Sequence, residues 1–229
     1  MKTILITGAA NGLGKELALR FSFDEVRLIL TDKDREGLLE VQKQVLEPRW
    51  AKCDVVSGDL GNKTTIQALY DLAYKHDLSV LINNAGVRAG GQIKNMSSTD
   101  ISDMISTNLV AAINLTKAMY PVFMLRKTGL IVNINSIAGQ VPNSTEAAYC
   151  ASKYGMRGFF DSFRFEAREH DIFVMSVYCG AMNTRMTDHR ADKGKLIDPL
   201  DVAKFVHSVC NNDFRSFYIP EVHLWRKNA

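Results

Sequence analysis

Three side chains of this sequence could carry acid-base chemistry on one carbonyl group: the hydroxyl of Ser136, the phenol of Tyr149 and the ammonium of Lys153. On a helix, Tyr149 and Lys153 would lie on the same face, because positions four residues apart are neighbours there. A tyrosine is a weak acid-base catalyst at neutral pH, since its ordinary pKa is about 10. A lysine ammonium nearby in a partly dry site favours the phenolate and lowers that pKa. The alternative is a buried tyrosine and a solvated lysine that merely share a helix face.

The amino terminus has the order strand, glycine-rich turn and helix. The apolar run Thr3–Thr7 leads into Gly8-Ala-Ala-Asn-Gly12-Leu-Gly14, and apolar residues then recur at helical spacing. Such a turn directs backbone N–H groups and a helix N-terminus towards a pyrophosphate. Its glycines permit a tight turn, a close approach of the phosphate and close packing of the helix on the strand. We therefore predict a dinucleotide site that includes Gly8, Asn11, Gly12, Leu13 and Gly14.

A second apolar strand, at Val26–Thr31, ends in Asp32. The acid lies about twenty residues beyond the glycine turn, where a carboxylate can accept hydrogen bonds from both hydroxyls of an adenosine ribose. The alternative is that Asp32 or Asp34 caps the following helix. Both roles can coexist in this pair, and we assign Asp32 to the ribose.

Four motifs in this order resemble those of the short-chain dehydrogenase/reductase family, in its single-domain branch. Thr7 to Gly14 resembles the cofactor turn Thr-Gly-x-x-x-Gly-x-Gly, and Asn83-Asn-Ala-Gly86 resembles the family signature after the fourth strand. The general sequence type is similar to that of 3-oxoacyl reductases. The resemblance runs from Met1 to about Thr184 and is weaker beyond. The family's catalytic residues fall on Asn108, Ser136, Tyr149 and Lys153.

This resemblance implies an oxidoreductase that transfers a hydride between a nicotinamide cofactor and the carbonyl or alcohol carbon of a small substrate. Tyr149 would give a proton to a ketone oxygen during reduction or remove it from an alcohol during oxidation. Ser136 would hydrogen-bond the same oxygen, and Lys153 would hold the ribose hydroxyls of the nicotinamide. Asn108 would disturb its helix enough to hold a water that links Lys153 to solvent. Its alternative is an ordinary polar residue that faces outwards.

Further cofactor contacts follow from the resemblance. Asp54, after the third strand, would bind the adenine amino group, although it could instead be a turn or cap residue. Near the sixth strand the family's Pro-Gly is replaced by Cys179-Gly180, where a small buried side chain is favoured over a reactive thiol. The remaining predicted cofactor-binding residues are Asn83, Ala85, Gly86, Gly180 and Thr184.

The predicted cofactor is NAD, with NADP as the alternative. Asp32 would repel a 2′-phosphate, and Asn11 stands where NADP-dependent relatives often carry arginine. Lys33 favours NADP instead, because it offers a cation near that phosphate.

The substrate is predicted only as a small alcohol or ketone. Residues 185–198 occupy the place of the family's substrate loop, and their basic residues suggest an acidic substrate, although a solvated, mobile loop is the favoured interpretation. A non-catalytic dinucleotide sensor or scaffold is the alternative from another class, and the intact tetrad counts against it. Within enzymes, the alternative is an NADPH-dependent reductase of 3-oxoacyl thioesters.

Length and composition agree with one domain that spans residues 1–229. The net charge of +3 is too small to argue for nucleic acid or a membrane as a partner. Four cysteines without paired metal-ligand spacing predict no metal site, and they favour a reducing, cytoplasmic compartment.

Strands and helices alternate along the chain, so we predict an α/β fold with a doubly wound parallel sheet and helices on both faces, the Rossmann fold. The predicted strands are Thr3–Thr7, Val26–Thr31, Trp50–Cys53, Val80–Asn83, Gly129–Asn135, Phe173–Tyr178 and Phe217–Ile219. The predicted helices are Leu13–Phe23, Arg35–Leu46, Lys63–Lys75, Asp100–Arg126, Tyr149–His170 and Pro199–Asn211.

The helix that contains Tyr149 carries large apolar side chains on more than one face, namely Met156, Phe159, Phe160, Phe163 and Phe165. One face must cover the sheet, so a second apolar face predicts a partner. Gly155 and Gly158 would let helix backbones approach closely. In the family that this chain resembles, the two long helices that carry Asn108 and Tyr149 commonly pair with their equivalents in a second subunit. The pattern therefore predicts a homodimer, or a homotetramer built from two dimers.

Overall fold

A computed structural model of the protein describes residues 1–188, 190–212 and 217–227. In this part of the chain one sheet has seven strands in the order β3-β2-β1-β4-β5-β6-β7, and every neighbouring pair is parallel. The strands are β1 (Lys2–Thr7), β2 (Val26–Asp32), β3 (Lys52–Ser57), β4 (Leu78–Asn83), β5 (Gly129–Ser136), β6 (Ile172–Cys179) and β7 (Glu221–Leu224). The central strands are apolar along both faces, as expected of a parallel sheet that is covered on both sides.

Helices cover both faces of this sheet. The helices are α1 (Gly12–Phe21), α2 (Arg35–Leu46), α3 (Lys63–Lys75), α4 (Ser98–Ile105), α5 (Ala111–Arg126), α6 (Ala147–Arg168) and α7 (Pro199–Asn211). One core cluster contains Phe21, Leu38 and Val206, from α1, α2 and α7. The other contains Leu69 and Phe160, from α3 and α6, together with residues of α5. The predicted doubly wound α/β fold is confirmed.

The order of the strands reverses between β1 and β4. Chain order runs outwards from β1 to β2 and β3, and then returns to place β4 on the other side of β1. The carboxyl ends of β1 and β4 therefore diverge into connections on opposite faces. Open α/β sheets bind ligands in the crevice that forms at this point.

Two predicted strands are misplaced, whereas the other predicted boundaries agree within two residues. The strand predicted at Trp50–Cys53 lies at Lys52–Ser57, because Arg49 has a positive φ of 63° and Trp50 is 63% exposed in the preceding turn. The strand predicted at Phe217–Ile219 lies at Glu221–Leu224. Pro220 directly precedes this strand, and its carbonyl oxygen already accepts from the N–H of Ser176 on β6 at 3.0 Å.

The helix predicted at Asp100–Arg126 is continuous but not uniform. The segments α4 and α5 are joined by a π-helical turn at Ser106–Val110. By length and composition the span Ser98–Arg126 could cross a membrane. However, 44% of its most apolar stretch of 18 residues is buried in the domain. A core helix of a globular protein meets the same criterion, so this span is weak evidence for a membrane.

Most of the large apolar side chains of α6 pack against other residues of the same subunit. Met156, Phe160 and Phe163 are buried in the core cluster, and Phe159 packs against it. A Cβ on Gly155 would meet Leu109 of the same chain at 2.7 Å, so the predicted role of Gly155 between subunits is wrong. Phe165, in contrast, is 71% exposed.

Candidate active site

The glycine turn between β1 and α1 needs its glycines for different reasons. Gly8 and Gly12 have positive φ values of 67° and 54°, which favour residues without a Cβ. Gly14 has an ordinary φ, but a Cβ there would lie 2.0 Å from the carbonyl oxygen of Gly8. Any side chain at Gly14 would therefore push α1 away from the turn.

Hydrogen bonds between Thr7 and Asn84 join the ends of β1 and β4. The Thr7 hydroxyl accepts from the backbone N–H groups of Asn84 and Ala85, each at 2.9 Å. The amide of Asn84 donates back to the carbonyl oxygens of Thr7 at 2.8 Å and Gly8 at 3.2 Å. The side chain of Asn84 thus holds the glycine turn. Thr7 was missed as a site residue, although a hydroxyl directly before the glycines was a usable signal.

A cleft of about 420 Å³ opens at this edge of the sheet. That volume is within the usual range for small-molecule and cofactor sites. The cleft brings together many of the predicted cofactor residues: Gly8, Asn11, Gly12, Leu13, Asp32, Lys33, Ala85, Gly86, Tyr149, Lys153 and Thr184. The glycine turn at its floor and a carboxylate beside it fit the pyrophosphate and ribose of a dinucleotide.

Asp32 is fixed by the backbone at the end of β2. One carboxylate oxygen accepts from the N–H of Ala10 and the other from the N–H of Asp34, both at 3.0 Å. The cap of α2 is supplied instead by Asp34, whose side chain accepts from the N–H of Gly37. The structure therefore separates the two roles, with Asp32 in the cleft and Asp34 at the helix.

Asp54 does not follow the third strand, as the sequence predicted, but lies inside it. It is opposite Ile29 of β2 and forms an ion pair with Arg27. Because β3 continues to Ser57, the chain reaches the cleft later, at Gly58 to Gly61, which line it. Asp59 in that turn lines the cleft, whereas Asp54 does not. The turn sequence Gly-Asp-Leu-Gly could have indicated this in advance.

Asn83 faces the core rather than the cleft. Its amide donates to the hydroxyl of Thr116 at 3.1 Å and to the side-chain oxygen of Asn133 at 2.9 Å. Asn83 is 3% exposed and does not line the cleft. Its side chain joins β4, β5 and α5, so the predicted contact with the cofactor is wrong for this side chain.

Tyr149 lies near the start of α6, with its phenol close to Ser136 at the end of β5. Burial raises the pKa of Tyr149 to about 12, and the nearby hydroxyl of Ser136 lowers it in part. The Ser136 hydroxyl also accepts from the N–H of Ala138 at 3.1 Å, which orients it. Burial thus outweighs the lowering of the tyrosine pKa that the sequence predicted.

Lys153 lies one turn beyond Tyr149 and is 5% exposed. Its ammonium donates to the carbonyl oxygen of Ile134 at 3.2 Å. Burial lowers the pKa of Lys153 to about 8, and the neighbouring Cys179 opposes that effect. Cys179 is 2% exposed, and burial raises the pKa of its thiol to about 12. An uncharged, buried thiol fits the favoured interpretation of Cys179 as a packing residue.

Asn108 lies in the π-helical turn and is fully buried, so the alternative of an outward-facing polar residue is wrong. Its side chain accepts from the N–H of Val87 at 2.7 Å and donates to the carbonyl oxygen of Val87 at 2.9 Å. It also donates to the hydroxyl of Ser152 at 3.0 Å, which in turn donates to the carbonyl oxygen of Tyr149 at 2.7 Å. Asn108 therefore connects the segment after Gly86 with the helix of Tyr149. Ser152 was not predicted.

A second cavity of about 350 Å³ adjoins the cleft on the side of Ser136. Tyr149 and Thr184 line both spaces, whereas Gly180 lines only the second and donates its N–H to Leu224 at 2.9 Å. The predicted substrate loop contributes Met186, Thr187 and Arg190 to this cavity. Two short 3₁₀ turns, at Arg185–Thr187 and Lys193–Lys195, give this loop local structure, and His189 lies outside the described residues.

The profile of the family described as short chain dehydrogenase matches residues 2–195. The chain belongs to this family. Short-chain dehydrogenases are oxidoreductases that use NAD or NADP, so the cofactor of this chain is a nicotinamide dinucleotide and its substrate is a small molecule.

Known proteins similar to this chain are members of the same family. Dehydrogenase/reductase SDR family member 7B of Bos taurus is 33% identical over 80% of this chain, which spans 59% of the bovine protein. Ketoacyl reductase HetN of Nostoc is 32% identical, over 92% of this chain and 76% of its own length. A solved metagenomic short-chain oxidoreductase in complex with NADP has a TM-score of 0.83 at 30% identity, over 97% of this chain and 96% of its own.

The first prediction concerns the hydroxyl that joins β1 and β4. Thr7→Val keeps the shape of the side chain but leaves two backbone N–H groups without their acceptor. We expect the free energy of unfolding to fall by roughly 1–3 kcal/mol and cofactor binding to weaken. Denaturant unfolding and calorimetry with the cofactor measure the two effects.

Thr7→Ser is the matched control, because it retains the hydroxyl and removes only a methyl group. We expect it to bind cofactor nearly as the parent does. If Thr7→Val bound cofactor as tightly as Thr7→Ser, the hydrogen bonds to Asn84 and Ala85 would not be what shapes the cleft.

Proposed function

We propose that this protein transfers a hydride between a nicotinamide cofactor in the cleft and the carbonyl or alcohol carbon of a small substrate in the second cavity. Tyr149 acts as the general acid in reduction and as the general base in oxidation. The observation that carries the proposal is that Tyr149 lines both the cleft and the second cavity, and that Ser136 lines the second cavity beside it. When bound, the nicotinamide supplies or accepts the hydride.

The side chains of this protein supply position and a proton. Ser136 orients the substrate oxygen beside the phenol, and Tyr149 transfers the proton to or from that oxygen. Lys153 holds the ribose of the cofactor and places a positive charge near the phenol. Tyr149 is 8% exposed, so little water competes with the substrate for its proton.

The proposed mechanism predicts the effect of removing one oxygen atom. We expect Tyr149→Phe to retain the fold and cofactor binding and to lose at least about a hundredfold in kcat, the usual scale for a general acid. A screen of NADH and NADPH oxidation against ketones, acyl thioesters and sugars provides the assay. The thioesters test the alternative of a 3-oxoacyl reductase, which the similarity to HetN supports.

Dependence on pH is a further readout of the same experiment. Because burial keeps the phenol protonated at neutral pH, we expect the rate of carbonyl reduction to be flat there and the rate of alcohol oxidation to rise with pH. A Tyr149→Phe protein that turned over at the parent rate would overturn the assignment of the acid.

We further propose that NAD is preferred over NADP. The carboxylate of Asp32 lines the cleft and repels a 2′-phosphate, whereas Lys33 beside it attracts one. Two similar solved structures contain NADP or NADPH. The preference of this protein therefore depends on whether Asp32 repels the 2′-phosphate more strongly than Lys33 attracts it.

Calorimetry with the two cofactors tests this preference. We expect NADH to bind more tightly than NADPH to the parent protein, and Asp32→Ser to reverse the order because it removes the repulsion. Lys33→Gln is the complementary variant and should weaken NADPH more than NADH. Tighter binding of NADPH by the parent would reverse our proposal.

A homodimer through the outer faces of α5 and α6 is also part of the proposal. Tyr154 and Phe165 on α6 are 39% and 71% exposed, and Leu125 at the end of α5 is 71% exposed. Gly158 lies on the same face as Tyr154 and Phe165, and a Cβ there would meet nothing within 4 Å. Exposed apolar residues beside a bare stretch of backbone are typical of a helix contact.

Phe165→Asp should therefore shift light scattering at micromolar concentration from a dimer mass to a monomer mass. Trp50→Asp is the matched control, since Trp50 is an aromatic residue of similar exposure (63%) in the turn before β3. A monomer mass for the parent protein would refute the dimer, and a tetramer mass would add a second interface.

The proposed compartment is the cytoplasm. All four cysteines carry free thiols, as is usual in reducing surroundings. A membrane and nucleic acid are not proposed as partners.

A further inference from the structure

The lining of the second cavity includes charged residues from four separate segments of the chain. Arg88 follows the Asn83–Gly86 signature, Glu146 precedes α6, Arg190 lies in the predicted substrate loop, and Arg226 follows β7. All four line the cavity that contains Ser136 and Tyr149. We refer to these four residues and Asp192 as the charged cluster.

The hydrogen bonds of the charged cluster leave it with one excess positive charge. Arg88 forms an ion pair with Glu146, and their side chains are 18% and 12% exposed. Asp192 accepts from Nε and Nη2 of Arg190, at 2.8 and 2.9 Å, and from Nη1 of Arg226 at 2.8 Å. Three guanidinium groups thus face two carboxylates.

Neither protonation nor deprotonation relieves this imbalance at neutral pH. Arg190 holds the pKa of the Asp192 carboxyl well below its usual range, so this group stays ionised. Arginine keeps its charge throughout the physiological range. The excess charge is therefore a permanent property of the cavity.

Apolar side chains line the cavity as well, namely those of Val141, Met182, Met186 and Trp225. A ligand that fits this mixed lining has a hydrocarbon body and one anionic end. The volume of about 350 Å³ is at the lower end of the range for small-molecule sites, so the ligand is small.

We propose, on the basis of the proposed function, that the substrate is a small carbonyl compound, or the matching alcohol, that carries a carboxylate. The carboxylate binds at Arg190 and Arg226, and the carbonyl oxygen lies against Ser136 and Tyr149. A guanidinium carries five N–H donors in a planar fork, so a carboxylate can bind beside Asp192 with two parallel hydrogen bonds. One carboxylate also balances the single excess charge, which a phosphate of nearly two charges would exceed.

The side chains of Arg190 and Arg226 are 33% and 25% exposed, so solvent weakens their attraction for an anion. The expected preference is therefore moderate. We expect the carboxylate to improve kcat/KM by about ten- to a hundredfold, the scale of one or two hydrogen bonds to a charged group.

The test compares each member of a series of short-chain oxo carboxylates with its methyl ester and with a phosphate-bearing analogue. We expect the parent protein to prefer the carboxylate over the ester by at least about tenfold in kcat/KM. Arg226→Gln makes the charged cluster neutral and should raise KM for the carboxylate by much more than KM for the ester, so that most of the preference is lost. Arg226→Lys should retain an intermediate preference.

Arg20→Gln is the matched control, because Arg20 lies in the last turn of α1 and lines neither space. It removes the same charge and should keep the full preference for the carboxylate. Calorimetry with the cofactor checks that each variant is folded. A preference that is equal in Arg226→Gln and Arg20→Gln would overturn the proposal, and so would a preference of the parent for the phosphate analogue.

Failure of this inference is distinguishable from failure of the proposed function. If the parent protein reduces the ketone group of the oxo carboxylates and of their methyl esters equally well, the proposed function stands and the carboxylate site is wrong. If it reduces no carbonyl compound, the proposed function is wrong. The binding of a saturated carboxylate and of its amide to the cofactor-loaded protein then decides the inference, and equal affinities would refute it.

Discussion

The site depends on the reversal of strand order between β1 and β4. Parallel strands whose connections leave on opposite faces tend to separate at their ends, and the Thr7–Asn84 hydrogen bonds hold these two together. The glycine turn is fixed through the same contacts, because Asn84 also donates to the carbonyl of Gly8. The cofactor cleft, the position of α1 and the approach to Tyr149 all follow from this junction.

Burial sets the protonation state of the catalytic pair. Raising the pKa of Tyr149 from about 10 to about 12 disfavours the phenolate by about 3 kcal/mol. Burial lowers the pKa of Lys153 to about 8, which still leaves this group mostly charged at neutral pH. A neutral phenol is the form that can donate a proton to a ketone. The protonation state of Tyr149 therefore suits the proposed reduction, whereas the proposed oxidation would need the phenolate to be stabilised further.

Local sequence determined those parts of the fold and site in which one segment acts alone. Five of the seven strands, the helices, the glycine turn and the positions of Ser136, Tyr149 and Lys153 were predictable because periodicity and spacing are local. Asp54 was misassigned because a turn at Arg49 delays β3, and an alternation of apolar residues does not show where pairing begins. Asn83 was misassigned because its partners Thr116 and Asn133 are distant in sequence.

The substrate cavity is the part that the motifs predict least, and its position in the chain explains why. Its charged cluster joins Arg190 and Asp192 of one loop with Arg226, which follows the last strand and lies beyond the residues matched by the family profile. That last strand is held to the site by the hydrogen bond from Gly180 to Leu224. Side chains on such a segment can change without disturbing Ser136, Tyr149 or the cofactor cleft. Under the proposed function, the chemistry and the choice of substrate are therefore encoded in separate parts of this chain, and motif spacing predicts only the chemistry.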